Sequence, residues 1–170
     1  MKKLLLIGGV LVIGWLVMRS MQAPEPAPAP TASKPTPTPA EPASVAQKDA
    51  TTGSSLNSAF PTASGGYKVV FTQEKDGFAQ ADLTKDGARL AALTVSDTAA
   101  NAAARDKFKT SAKQIGGYPA AAVGSQGTAV LVGNRYQVQA RSLSPSFGAA
   151  EREQWLSRFH FDRLDKLARR

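Results

Sequence analysis

Eight of the chain's eleven prolines lie between Ala23 and Ala43, and this segment decides which parts of the sequence can fold together. Runs such as Pro-Thr-Pro-Thr-Pro remove backbone donors and contain too little apolar surface to offset the entropy of ordering. Their composition favours an extended polyproline II spacer. We therefore divide the sequence into an amino-terminal stretch, a disordered linker over residues 23–65 and a small domain over residues 66–170.

The amino-terminal stretch contains an uncharged apolar run of 15 residues from Leu4 to Met18, preceded by Lys2 and Lys3 and followed by Arg19. As a helix it would span roughly 22 Å, and snorkelling basic side chains can cover much of the remaining thickness of a bilayer core. Residues 1–22 are therefore predicted to be a signal anchor that contacts the membrane through a transmembrane helix, with the amino end in the cytoplasm.

The alternative for this stretch is a cleavable signal peptide, which is disfavoured because no pair of small residues stands at the −3 and −1 positions of a cleavage site. In a bacterium the anchor predicts a single-pass inner-membrane protein with a periplasmic domain, and cleavage predicts secretion to the periplasm. The chain has no cysteine. Neither a disulfide nor an acylated cysteine is available, so packing alone must stabilise the domain.

The predicted domain contains two stretches of similar length, residues 67–117 and 118–170, that share one order of elements. Each has strand-like segments separated by turn sequences, of which Asp76-Gly77, Asp86-Gly87 and Gly133-Asn134 are the clearest. Each then has a helical pattern. The first helix would place on one face Ala100, Ala104, Phe108, Ala112 and Ile115; the second would run from about Phe147 to Phe159, with one further helical turn after it.

This βββα-βββα order predicts an α+β fold, a two-layer structure with a mainly antiparallel sheet of five to six strands and two amphipathic helices on one face. The other face of the sheet would be exposed to water. The main alternative is closure of the strands into a barrel-like structure. The two halves share too little sequence identity to establish an internal duplication.

Few residues could form a catalytic or metal site. The one histidine, His160, lies between two helical segments, which favours a capping or packing role. The turn Gly124-Ser125-Gln126-Gly127 lacks the spacing of a nucleophile elbow. Zinc would lack ligands, and Asp76, Asp82 and Asp86 do not form a calcium-binding loop. We therefore expect no catalytic residue, no metal and no cofactor.

The candidate binding site lies on the segment from Arg135 to Arg141, where polar and apolar residues alternate most regularly. The side chains expected on the water-exposed face are Arg135, Gln137, Gln139 and Arg141. Guanidinium groups pair with carboxylates and phosphates, so this row could bind an anionic partner. The alternative interpretation is that these polar side chains keep the sheet soluble.

The formal net charge is +8, and residues 66–170 contain 16 Lys and Arg against 10 Asp and Glu. This charge is compatible with acidic partners. Lys107, Lys109 and Lys113 would form a second basic patch, for which we expect solvation. Aromatic residues are few and the domain is predicted to face away from the cytoplasm, so no nucleic-acid partner is expected.

These features predict a noncatalytic, membrane-anchored module of the cell envelope that binds or holds a protein, a peptide or an anionic polymer. It would use a sheet face or a sheet edge, which can accept an additional strand. The alternative is an enzyme, or an inhibitor of an enzyme, that acts on an envelope polymer. Such an enzyme would need carboxylates in one cleft, for example Asp82 with Glu74.

Overall fold

The computed structural model describes residues 49–170, so the predicted anchor and most of the predicted linker lie outside the described residues. The helices are α1 (Gly53–Asn57), α2 (Ala103–Lys109), α3 (Ala149–Leu156) and α4 (Phe161–Ala168). The strands are β1 (Tyr67–Lys75), β2 (Phe78–Lys85), β3 (Ala88–Asp97), β4 (Gln114–Ile115), β5 (Tyr118–Val123), β6 (Gly127–Val132) and β7 (Tyr136–Ser142).

Within residues 49–170, seven strands form one antiparallel sheet in the order β1-β2-β3-β7-β6-β5-β4. The α+β class is therefore as predicted. The expected turns connect neighbouring strands, and Asp86 and Gly87 both have positive φ, as do Gly133 and Asn134. Two consecutive residues with positive φ are typical of the type I′ turns that fit twisted hairpins. The sheet is open, with β1 and β4 at its edges, and does not close into a barrel.

The main core lies on the face of the sheet against which α1, α3 and α4 pack. Alternate residues of each central strand point into it, for example Leu93 and Val95 on β3 and Val138 on β7. Trp155 of α3 is buried there, and its ring lies 5.0 Å from that of Tyr67 on β1. The aromatic and branched side chains thus join both halves of the sheet to one layer of helices.

The first predicted helix differs from the observed one in its length and in its position. The observed helix α2 ends at Lys109. Ile115 belongs instead to β4, which pairs with the start of β5 and raises the number of strands to seven. Gly116 and Gly117 both have positive φ and form the turn between these strands. The alanine spacing indicated a longer helix, but alanine side chains bury little surface with which to hold one.

Helix α2 also corrects the predicted two-layer arrangement with every helix on one face. Its Phe108 packs with Ala129 and Leu131 in a small second cluster. These two β6 residues alternate with Val130 and Val132, which belong to the main core, so α2 lies on the opposite face. The sheet is therefore covered by helices on one side and in part, over β5 and β6, on the other.

The folded region begins before Gly66, where the predicted domain starts. Leu56 and Ala59 are 0% exposed in the main core, although both fall within the predicted linker. Phe60 is also buried, and its ring lies 5.2 Å from that of Phe159. Residues 53–60 therefore supply part of the core that the sheet and the later helices would otherwise leave open.

Candidate functional site

The predicted polar row divides into two parts in the structure. Tyr136, Val138 and Ala140 are buried in the main core, whereas Gln137 and Gln139 are half-buried and Arg141 is exposed on the opposite face. The Gln137 side chain donates through Nε2 to Oε1 of Gln139 at 3.2 Å. Three of the four predicted binding residues therefore share one face of β7.

Arg135, the fourth predicted residue, precedes β7 and makes an internal ion pair. Its Nε and Nη2 donate to the two carboxylate oxygens of Asp97 at 3.0 and 2.7 Å. Nη2 also donates to the carbonyl oxygen of Asp49 at 2.9 Å. The Arg135 guanidinium group is thus bound within the fold at the end of the sheet. It is not available to act together with Arg141 on a ligand.

Asp97 is the centre of this arrangement, and sequence reasoning missed it. Besides Arg135, the backbone N–H and the hydroxyl of Thr51 donate to it, each at 3.1 Å. Burial alone would raise the pKa of Asp97, but the hydrogen bonds from Arg135, Thr51 and Ala99 hold that pKa below its usual value. An Asp at the end of a predicted strand was the available signal, but Arg135 and Thr51 are 38 and 46 residues away in sequence.

The face that carries Arg141 extends over β1, β2, β3 and β7, and we call it the open face. The strand register places Val70, Asp82, Ala92 and Arg141 in one row across these four strands. Gln73, Gln80, Thr94 and Gln139 form the next row. The helices of residues 49–170 pack on the opposite face or, in the case of α2, on β5 and β6.

The charges of the open face are only partly compensated. Nε of Arg89 lies 2.7 Å from a carboxylate oxygen of Asp82, whose second oxygen is buried without a partner among the described residues. Oε1 of Gln137 is likewise buried and without a partner in this part of the chain. Arg141 forms no ion pair within residues 49–170. The face is thus polar, with one available guanidinium group.

The outer strand β1 borders the open face and presents apolar side chains to solvent. Val70 and Phe71 are each 47% exposed and are two of the three large apolar residues exposed in the described chain. Val70 lies on the open face, and Phe71 lies on the opposite face with its ring 5.1 Å from that of Phe60. A bulge follows at Thr72, where the register with β2 shifts.

Helix α1 contacts β1 beyond this bulge. A Cβ on Gly53 would lie 2.9 Å from backbone atoms of Lys75, and the side chain of Asn57 donates to Glu74. The edge of β1 from Tyr67 to Phe71 is the segment with large exposed apolar side chains. An edge strand carries backbone N–H and C=O groups that can pair with a further strand.

The residues weighed as catalytic candidates lie apart. Glu74 is on the face of β1 that meets α1, whereas Asp82 is on the open face, so these carboxylates do not share a cleft. Ser125 is exposed in the turn between β5 and β6. The backbone N–H of His160 donates to the carbonyl oxygen of Ala59 at 2.9 Å, which joins the start of α4 to the segment after α1.

The predicted lysine patch is also dispersed. Lys109 pairs with Asp106 at 2.6 Å, and Lys113 pairs with Glu153 of α3 at 2.5 Å. Nζ of Lys107 lies 5.2 Å from the centre of the Phe108 ring. Residues 49–170 contain no group of three or more His, Cys, Asp or Glu side chains arranged to hold a metal ion.

Comparison with protein-family models, with curated proteins and with solved structures found no match. In the part of the chain that the structure describes, no helix has the length and apolar character needed to cross a membrane. The predicted anchor from Leu4 to Met18 lies outside those residues.

Proposed function

We propose that this chain is a noncatalytic binding module of the cell envelope, anchored in the membrane through Leu4 to Met18, that captures an extended peptide along the edge of β1. The observation that carries the proposal is the outermost position of β1 together with the exposure of Val70 and Phe71. A peptide strand added there would continue the backbone ladder, and its alternate side chains would meet the apolar residues on both faces.

The charges near β1 favour an acidic peptide. Nζ of Lys85 lies 4.7 Å from the centre of the Tyr67 ring, and the guanidinium carbon of Arg158 lies 4.6 Å from that of Trp155. Lys68 is exposed on β1 itself. Of the nearby carboxylates, Asp82 pairs through one oxygen with Arg89, and Glu74 accepts a hydrogen bond from Asn57. An incoming strand with acidic side chains would therefore meet positive charge at the beginning of β1.

The predicted row on β7 takes a secondary part in this proposal. The open face carries three of these residues on β7, two strands beyond β2, namely Gln137, Gln139 and Arg141. A single added strand at β1 would not reach them, but a larger partner would. Arg141 would then supply a guanidinium group for a carboxylate of that partner. Arg135 is excluded from this part because Asp97 binds it.

A binding experiment with the full chain tests peptide capture. The probe is a soluble peptide of alternating Glu and Val, compared with the same peptide carrying Lys for Glu and with polyglutamate of equal length. We expect tightest binding of the Glu-Val peptide and slower hydrogen exchange at the backbone amides of β1. Val70→Glu should weaken this binding at least about tenfold, because charge on an edge strand opposes pairing.

The matched control is Ala122→Glu, which places the same charge at an exposed position of β5. It should bind the Glu-Val peptide as the parent chain does. Equal affinities of the Val70→Glu and Ala122→Glu variants, or unchanged exchange at β1, would contradict capture at this edge. Polyglutamate binding as tightly as the Glu-Val peptide would instead assign the module to anionic polymers.

A further inference from the structure

A cleft of about 320 Å³ lies between α2 and the strands β5 and β6, on the side of the sheet opposite the main core. Its lining consists of Ala102, Arg105, Phe108, Lys109, Pro119, Leu131 and Asn134. Clefts that bind small molecules have volumes of about 300 Å³ and above. The cleft is therefore large enough for one ring-sized group, and none of the functional assignments above uses it.

The floor of the cleft is apolar and rests on packed side chains. Phe108 and Leu131 are buried and contact Ala129 in the second apolar cluster. Pro119 of β5 and Ala102, which precedes α2, also line the cleft. Because strand residues and a buried ring form this floor, it exists before any ligand binds and suits an apolar body.

The polar groups of the lining favour an anion. Nη1 of Arg105 donates to the carbonyl oxygen of Thr98 at 2.7 Å, which fixes one side of the guanidinium group while its other donors have no acceptor within residues 49–170. Lys109 pairs with Asp106, but both side chains are largely exposed, so this pair is weak. The lining residues include no carboxylate.

We propose that this cleft binds a small molecule with an aromatic or compact apolar body and one carboxylate. The body would pack on Phe108 and Leu131, and the carboxylate would accept hydrogen bonds from Arg105, whose planar guanidinium group matches two carboxylate oxygens. This site is independent of the peptide capture proposed for β1. The sheet order places β2, β3 and β7 between β1 and β6.

The test uses the full chain in a neutral detergent with 3-phenylpropionate as the probe and 3-phenylpropanamide as its uncharged match. Titration calorimetry gives the affinities, and chemical shifts of the Leu131 methyl groups report occupation of the cleft. We expect the acid to bind at least about tenfold more tightly than the amide. The amide also controls for partition of the ring into detergent.

Three variants separate the contributions of the cleft. Arg105→Gln should remove the preference for the acid, whereas Lys166→Gln, which removes an exposed cation from α4 on the opposite side of the sheet, should change the affinity for the acid less than about threefold. Ala102→Trp, at an exposed position in the lining, should fill the cleft and abolish binding of both probes. Thermal unfolding of each variant establishes that it is folded.

Several results would overturn the proposal. They are failure of the parent chain to bind 3-phenylpropionate, equal affinities for the acid and the amide, and parent-like binding by Ala102→Trp. Tighter binding of phenyl phosphate than of 3-phenylpropionate would also overturn the assignment of a carboxylate. None of these outcomes depends on whether the β1 edge captures a peptide, because the probes contain no strand-forming backbone.

Discussion

At the scale of single residues, the side chain of Asp97 fixes the first described residues of the chain to the end of the sheet. Its side chain is 0% exposed, and it accepts hydrogen bonds from Arg135 and from Thr51, whose hydroxyl also lies 2.6 Å from that of Tyr136. A buried carboxylate needs this number of donors to offset the loss of hydration. The same contacts hold the segment at Asp49 against the end of the sheet.

We predict that Asp97→Asn destabilises the fold by about 2 to 3 kcal/mol, since it leaves a partly buried guanidinium group without its counter-charge. Urea unfolding of the full chain measures this change. Asp106→Asn is the matched control because it removes an exposed partner of Lys109, and it should change stability by less than about 0.5 kcal/mol. Equal effects of the two variants would refute a structural role for the buried pair.

The lowered pKa of Asp97 predicts how stability depends on pH. Because that pKa is lower in the folded chain than in the unfolded chain, the ionised carboxylate stabilises the fold above the unfolded value of about 3.9. This contribution is lost as the pH falls through the folded value. Urea unfolding between pH 7 and the acid limit should show a smaller loss of stability in Asp97→Asn than in the parent chain.

At the scale of elements, α1 shows how a short segment can complete a core. Helix α1 has five residues and no periodicity that would distinguish it from a polar linker. Its Leu56 nevertheless lies in the main core, together with Ala59 and Phe60 just after it. The stability of this segment therefore comes from tertiary packing and not from helix propensity.

We predict that Leu56→Ala destabilises the fold by about 3 kcal/mol through loss of a fully buried side chain. Ser54→Ala, at an exposed position of the same helix, should leave the urea midpoint close to that of the parent chain. A Leu56→Ala variant as stable as Ser54→Ala would mean that α1 is not part of the cooperative unit. A domain that starts at Gly66 should fail to fold with parent stability for the same reason.

The hairpins could be predicted from sequence because their information is local. Asp-Gly and Gly-Asn pairs favour positive φ, and β-branched alternation marks the strands beside them. The two-residue β4 and the short α2 could not be predicted from sequence, since an alanine-rich pattern fits a helix, a loop or a buried strand equally well. The alternation of β7 correctly placed Val138 and Gln139 on opposite faces of the sheet. The ion pair of Arg135 could not be predicted in this way, because its partner Asp97 is 38 residues away in sequence.

At the scale of the whole molecule, the sheet carries two basic surfaces at well-separated strands. The edge of β1 is flanked by Lys68 and Lys85, and the cleft beneath α2 contains Arg105 and Lys109. Four strand spacings of about 4.8 Å put β1 and β6 roughly 19 Å apart. The peptide proposed for β1 and the carboxylate ligand proposed for the cleft would therefore bind without contact between them.

The bonds at Thr51 also determine where a mechanical load would enter the fold. The carbonyl oxygen of Thr51 accepts from the N–H of Gly77 at 2.7 Å, and its N–H donates to Asp97. Tension applied to the chain before Asp49 would therefore be transmitted to the β1–β2 turn and to the end of β3. Helix α1 would bear no force until those bonds ruptured. Its packing in the core would therefore survive a pull that, without the bonds at Thr51, would act directly on α1.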